Sequence, residues 1–399
     1  MPNSNILPSN INTNAKIAVF TPFLIGSCKG GAEKMFLDIR DYYQAAFFVG
    51  SIELISWGKT ASKSDDFVGR LWSTENLVMP LGLESTLPLW KYLKRQILMR
   101  FSPKIKELAK YDLVIFNFGN ISFLPQVLKR INPKIKLIGY VNTPPRGFTD
   151  QFDYKLKQKV PGFLHPIVKV FAKVVVNQFK QALESTDYIV ANSNNISRRL
   201  KKYVGVTSDQ AIWPPVDMNN LKYLDQKDYY LSHARLESTK RIELIVEAFA
   251  KMPDKKLIIT SSGPLKDWLI NKIKQEKLTN IDFRGRVSDQ ERDELMGNCL
   301  AGIYIPENED AGITQVEFNA CGKPVIGVSE GGLLETVVDE FNGLLIPASP
   351  SVQSLIEAVN RMTPELALRM RENCQKKALE LDKSVFFEKL DKVCTSLLS

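Results

Sequence analysis

The sequence predicts an α/β chain of two Rossmann-like, doubly wound domains, each a parallel sheet with helices on its faces. Three observations lead there. Short continuous apolar runs recur, as strands buried on both faces require: KIAVF at Lys16–Phe20, LVIFNF at Leu113–Phe118, KLIGYV at Lys136–Val141 and YIVAN at Tyr188–Asn192. The second half adds YYLSHARL at Tyr229–Leu236, KLIITS at Lys256–Ser261, Ile281–Gly285, AGIYIP at Ala301–Pro306 and Pro324–Val328. Helical patterns separate these runs, the alternation that builds parallel sheets. Finally, 399 residues exceed a single core and suit two domains.

Hydrophobic residues at 44% and charged ones at 24% describe a globular soluble chain. No run of eighteen apolar residues occurs, so no membrane span is expected. The start, MPNSNILPSNINTNA, lacks the charged beginning and apolar core of a signal peptide and reads as a polar arm. The five cysteines, Cys28, Cys299, Cys321, Cys374 and Cys394, are scattered without C-x-x-C spacing. Neither a disulfide framework nor a zinc site is expected, and a reducing cytoplasm fits. Net charge is +9, unevenly spread: residues 1–217 carry 29 Lys and Arg against 16 Asp and Glu, and 218–399 carry 24 against 28. That asymmetry points to an anionic surface or substrate facing the first half, with solubility alone as the bland alternative.

In the first half, KIAVF runs into GSCKGGAEKMFLDI, where Gly26, Gly30 and Gly31 precede an amphipathic helix carrying Met35, Phe36 and Ile39. Strand, glycine loop and helix open a doubly wound domain, although G-x-x-x-G-G is not the dinucleotide fingerprint G-x-G-x-x-G. After KLIGYV comes VNTPPR, whose prolines force an extended loop off a strand's carboxyl end, where open α/β sheets place their sites. Asn142 and Arg146 lie on it. Arg146 is a candidate for an acceptor phosphate; the alternative is a surface arginine paired locally. Two basic amphipathic stretches suit anionic headgroups: Leu87–Phe101 and Lys155–Leu183, the latter a helix from Ile167 with Lys169, Lys173 and Lys180 on its polar side. The commoner reading of either is a helix packed on its own sheet with solvated lysines. Ser193–Asp217 reads as a capped helix, a turn, a short strand and a proline stop. Pro214-Pro215 and the polar run Asn219–Lys227 mark a linker, dividing the chain into 1–217 and 218–382 with a further helix beyond.

In the second half, Arg235 and Lys240 stand five residues apart across a strand-to-helix turn, placed to converge on a diphosphate. Ser262-Gly263-Pro264 follows the next strand. The stretch Glu307–Pro324, ENEDAGITQVEFNACGKP, reads as a loop ending at Gly312, a short helix to about Cys321 and a buried strand. Backbone N–H groups at Gly312, Ile313 and Thr314 would form an anion site at the helix start, with Glu309 at its mouth and Glu317 one to two turns inside. Phosphate-binding donors beside hydroxyl-binding carboxylates suit a nucleotide sugar.

Glu309-x7-Glu317 followed by A-C-G-K-P-V resembles the donor signature of retaining glycosyltransferases of family 4, whose GT-B fold sets two Rossmann-like domains about a central cleft. Arg235-x4-Lys240 resembles the pair that neutralises the leaving nucleoside diphosphate there. F-x-G-x-V at Phe283–Val287 resembles the segment receiving the nucleobase, which brings in Arg286 and Val287 beside Gly263. Gly331-Gly332 with Glu335 also fits. The G-G-A-E loop at Gly30-Gly31 is similar to one facing the acceptor side, and Thr-Pro-Pro-Arg to a loop of O-antigen type mannosyltransferases. In that loop a histidine usually stands where this chain has Asn142, an amide that can hydrogen-bond but not carry a proton. The resemblance implies a retaining hexosyltransferase in which Arg235, Lys240 and Glu309 are catalytic, Glu309 holding sugar hydroxyls and Glu317 the ribose. It implies GDP-mannose as donor with UDP-sugars second, and a glycan or lipid-linked acceptor at the inner membrane face. It also implies a final helix, about 383–399, returning to the first domain, where Phe386, Phe387 and Leu390 would pack. No D-x-D triplet occurs, so no metal is expected; no other cofactor and no nucleic-acid partner is suggested. The alternatives are a non-catalytic sugar-nucleotide-binding subunit, prompted by Asn142, and a dinucleotide epimerase or dehydrogenase, for which the fingerprint is missing.

Overall fold

The structure is a computed structural model that describes residues 15–21, 24–25, 31–49, 52–53, 70–71, 104–118 and 123–399. Gly26, Cys28, Gly30, the polar arm and the Leu87–Phe101 stretch lie outside these residues.

The chain divides into two units, 1–212 with 388–399, and 213–387. In the first unit the described strands are β1 (Ile17–Thr21), β2 (Leu24–Ile25), β3 (Ala46–Val49), β4 (Ile52–Glu53), β5 (Arg70–Leu71), β6 (Leu113–Phe118), β7 (Lys136–Val141), β8 (Tyr188–Ala191) and β9 (Gln210–Ala211). Seven of them form one parallel sheet in the order β5-β3-β1-β6-β7-β8-β9, and β2 and β4 pair separately. Burial on both faces explains the unbroken apolar runs: every residue of β1 is buried, as are five of the six in β7. The core gathers Phe20, Phe116, Phe118, Leu137, Phe179 and Leu183. The helix His165–Glu184 lays Ala172, Val175, Phe179, Ala182 and Leu183 on this core, Phe179 meeting Phe118 edge-on with centroids 5.4 Å apart. Gly31 opens the helix Gly31–Tyr43, which buries Met35, Phe36 and Ile39 as their spacing predicts.

The second unit holds β10 (Tyr230–His233), β11 (Leu257–Thr260), β12 (Ile281–Gly285), β13 (Ala301–Ile303), β14 (Val325–Val328) and β15 (Gly343–Ile346). All neighbours are parallel in the order β12-β11-β10-β13-β14-β15. Counted from its first strand this is 3-2-1-4-5-6, the doubly wound order, with its reversal between β10 and β13. The reversal in the first sheet lies likewise between β1 and β6.

The division falls after Ile212, so Pro214-Pro215 and Asn219–Lys227, expected to link the domains, fall within the second unit. Packing explains the difference. Gly297 O accepts from Leu224 N at 3.0 Å and Asp225 N at 3.2 Å, and the buried Lys323 ammonium donates to Asp225 O. The ring of Tyr223 takes Lys323 at 4.0 Å and Arg371 at 3.8 Å from its centroid. At the other end the helix Lys383–Leu398 changes unit between Phe387 and Glu388, so Leu390 belongs to the first unit, whereas Phe386 and Phe387 belong to the second.

Within the first unit, Asp391 accepts from Tyr42 Oη at 2.7 Å and Tyr43 Oη at 2.6 Å, clipping the last helix to Gly31–Tyr43. Replacing Asp391 by Ala removes the carboxylate that accepts from both hydroxyls. A loss of about 1–3 kcal/mol in urea unfolding is expected, with faster amide exchange over residues 388–398.

Candidate active site

The two loops leaving the sheet at the reversal of the second unit carry the residues expected to meet the donor. One follows β10 and bears Arg235 and Lys240; the other follows β13 and bears Glu307–Gly312. They are stitched together by Glu307 N donating to Thr239 O at 2.7 Å. The Lys240 ammonium forms an ion pair with the Glu309 carboxylate and donates to Tyr304 Oη at 3.2 Å. The two paired side chains are 17% and 20% exposed, shielded enough for charge to matter and open enough to meet a ligand. Tyr304 is buried, and burial followed by the nearby Glu309 charge holds its phenol well above the usual value. It therefore stays protonated.

Arg241, next in sequence, has a left-handed backbone (φ 52°), unusual for a residue with a Cβ. Its guanidinium gathers three loops, the β13 loop and two more. It donates to Ile305 O at 3.0 Å and Pro306 O at 3.2 Å after β13, to the Glu330 carboxylate at 2.6 Å after β14, and to Ala348 O at 3.2 Å after β15. Sequence reasoning missed this residue, since one more cation after Lys240 carries no distinguishing signal in composition or spacing.

The Glu309 loop is braced from behind. Gly332 N donates to Glu309 O at 2.8 Å, and a Cβ on Gly331 would come 2.6 Å from that same carbonyl. Backbone therefore meets backbone, which only glycine permits. Gly312 ends the loop at φ 85°. The buried Gln315 amide ties the turn down, donating to Ala311 O, Gly312 O and Thr336 Oγ1 at 3.0–3.1 Å. Ile313 is the N-cap of the helix Thr314–Ala320, which opens without a side-chain cap. Glu317 lies half-buried in the first turn, close to Arg292 of the helix Asp289–Asn298. Burial opposes the charge of Arg292, but Glu317, Asp293 and Asp289 outweigh it and keep its pKa above the ordinary value.

Lys240, Glu309 and Gly312 are thus brought together on adjoining loops, while Arg235 is not. Its guanidinium is 71% exposed and pairs with Glu237 at 3.0 Å, a neighbour two residues on. Gly263 packs under the same turn, where a Cβ would lie 2.5 Å from Leu236 O. Arg286 is exposed and Val287 half-buried at the mouth of β12, just past Gly285. Lys323 of the A-C-G-K-P motif serves structure, as described for Tyr223 and Asp225.

In the first unit, Asn142 follows β7 and donates to Asn117 Oδ1 at 3.0 Å, and Asn117 donates to Thr21 Oγ1 at 3.0 Å. Three polar side chains thereby line the carboxyl ends of β1, β6 and β7. Arg146 pairs with Asp150 at 3.1 Å, and Asp150 also receives Arg199 at 3.0 Å. The local pairing weighed for this arginine is the one observed, because Asp150 bridges two guanidiniums.

The second unit is thus a doubly wound sheet that holds a cation and a carboxylate together at its reversal. Residues 217–380, all within the second unit, match the family model described as glycosyl transferases group 1. The relatives are mannosyltransferases in two instances. The alpha-1,3/1,6-mannosyltransferase ALG2 of Dictyostelium discoideum is 33% identical over 172 residues, covering 37% of this chain and 40% of that protein. The O-antigen chain mannosyltransferase C of Escherichia coli is 26% identical over 220 residues, covering 50% of this chain and 57% of that one. The chain therefore spans about half the length of the curated relatives it matches. Among solved structures, sucrose-phosphate synthase from Thermosynechococcus elongatus superposes with a TM-score of 0.71 at 16% identity, covering 96% of this chain and 99% of that one. Anabaena Alr3699/HepE in complex with UDP and glucose gives 0.66 at 18%, covering 96% and 100%. At such identities these likenesses show the fold, which is GT-B.

Two outcomes follow from this geometry. Arg241→Ala keeps the left-handed strain and loses four hydrogen bonds, whereas Arg241→Gly loses the bonds but relieves the strain. The glycine variant should unfold about 1 kcal/mol later than the alanine variant, both below wild type. His233, at the end of β10, accepts or donates at 2.6 Å to Thr260 Oγ1; burial, then the charge of Arg292, pushes its pKa down from 6.5 to about 4. Between those values the unfolded chain binds a proton that the folded chain refuses. Stability is full above pH 6.5 and declines as the pH falls towards 4, by at most about 3 kcal/mol. Thermal melts of His233→Gln should lose that share of the pH dependence.

Proposed function

We propose that this chain moves a hexose, mannose first, from a nucleotide sugar to a glycan or lipid-linked acceptor, with retention and without a divalent metal. The observation that carries the reading is the Lys240–Glu309 pair at the reversal of the second sheet. In the free protein each charge neutralises the other. A ligand that is anionic at one end and hydroxylated at the other replaces both partners at once, which a nucleotide sugar does. Lys240 would then meet the charge gathering on the departing diphosphate, a preorganised electrostatic role. Glu309 would position the sugar through its hydroxyls. The N–H groups from Gly312 to Thr314 complete the phosphate side, and Arg235 joins by turning from Glu237. Glu317 takes the ribose, with Gly263, Arg286 and Val287 around the base.

On the acceptor side, the Thr21–Asn117–Asn142 row offers hydroxyl partners but no proton carrier, and Arg146 lends a charge already shared with Asp150. Retention is the expectation attached to the E-x7-E resemblance. The two mannosyltransferase relatives favour GDP-mannose; UDP-sugars stand second. The work would be done on the cytoplasmic side of a membrane.

Lys240→Ala should lower kcat/KM at least tenfold, equivalent to about 1.4 kcal/mol, with the fold unchanged by circular dichroism. Unaltered transfer by that variant removes the leaving-group role. Calorimetric titration with GDP and UDP ranks the donors, GDP tighter. Nucleotide binding without transfer or hydrolysis for any sugar would assign a non-catalytic subunit instead.

A further inference from the structure

The helix His165–Glu184 has three faces, and only two are explained by folding. Ala172, Val175, Phe179 and Ala182 pack inward. About a third of a turn round, at roughly 100° per residue, lies the lysine row Lys169, Lys173 and Lys180. The remaining face is apolar and open. Ile167 is 67% exposed, Val170 64% and Val174 48%, at the i, i+3, i+7 spacing of one stripe, and Phe163 in the turn just before is 80% exposed. Four large apolar side chains aligned in water differ from the scattered exposed leucine that any surface carries. The basic-helix reading of this segment therefore gains a second element that lysine spacing did not reveal.

Charge identifies the occupant. Between Asp153 and Glu184 the sequence has six lysines and no Asp or Glu. Lys180 has a weak pairing with Glu184 at 3.7 Å, while Lys169 and Lys173 have no ion pair among the described residues. Self-association through this face would set one lysine-rich segment against its copy, and an acid-poor, lysine-flanked apolar stripe suits an acidic lipid surface. We propose that Phe163, Ile167, Val170 and Val174 insert into the interface of an anionic bilayer, with Lys157, Lys169 and Lys173 reaching its headgroups. The helix also touches the Arg146 turn, Phe171 meeting Phe148 with centroids 5.9 Å apart. Docking would thus bring the Asn142–Arg146 loop near the lipid. The proposal does not rest on the donor chemistry of the second unit.

Vesicle co-sedimentation of the full chain tests it, using phosphatidylcholine alone and with about 30% phosphatidylglycerol. Wild type should bind the mixed vesicles only, and about 0.5 M salt should weaken but not abolish binding. The Ile167→Ser, Val170→Ser, Val174→Ser triple variant should bind at least about fivefold less, and Lys169→Glu with Lys173→Glu likewise. Ile131→Ser, at an exposed apolar position on another helix, should bind as wild type does. These positions face solvent, so melting curves should coincide, and GDP binding by the triple variant should equal wild type whatever the donor proves to be. Absence of wild-type binding, equal binding by all variants, or a wild-type dimer that the serine variant makes monomeric would each overturn the proposal.

Discussion

The second unit depends on holding two opposite charges together at the carboxyl end of its two central strands. Lys240 and Glu309 belong to loops leaving different strands, and an ion pair at about one-fifth exposure gains little unless its geometry is fixed beforehand. The fixing is done by backbone. Thr239 receives Glu307, Gly332 reaches Glu309, and Gln315 closes the turn behind them. None of these contacts uses the two charged groups, so a ligand can replace one charge with another while the loops stay put. A site that exchanges partners without reorganising is what electrostatic stabilisation of a leaving group requires.

Arg241 shows what that rigidity costs. A left-handed conformation with a Cβ carries about 1–2 kcal/mol of strain, and strain persists where the surroundings over-determine it. Here the surroundings are four acceptors on the ends of β13, β14 and β15. The same twist that aims the guanidinium across those strands starts the helix Ile242–Ala250 directly after Arg241, its N-cap. Strain and reach have one geometric source, and both sit beside the candidate catalytic lysine.

Much of this was legible in sequence because it is periodic or local. The strands appear as apolar runs because both sheet faces are covered, and the Glu309–Glu317 turn is announced by Gly312 and the Gly322–Pro324 stop. What escaped depends on distant partners. Arg146 pairs with Asp150 four residues on, a pairing a reader can guess, but the Arg199 that shares the same carboxylate lies 49 residues from it. The polar run Asn219–Lys227 looks like a linker until Lys323 and Arg371 are found over Tyr223. Leu221, Tyr223 and Leu224 were the available hint, three apolar residues inside a supposed spacer. Lys323 itself reads as a loop cation; only a carbonyl and a ring supplied from about a hundred residues earlier let it be buried.

The charge asymmetry between the halves acquires a physical meaning when the charges are followed to their partners. In the second unit the conspicuous cations are matched: Lys240 with Glu309, Arg241 with Glu330, Arg292 with Asp289 and Asp293. Its slightly acidic balance therefore hides a site whose cations are held in reserve by carboxylates. In the first unit the excess is concentrated where acids are absent, along the segment that also exposes the apolar stripe. Solubility alone would spread lysines evenly and bury the valines. Lys169 and Lys173, with no ion pair among the described residues, beside unburied Ile167, Val170 and Val174 pose two problems, repulsion and exposed apolar area, that a single anionic, partly apolar surface relieves together.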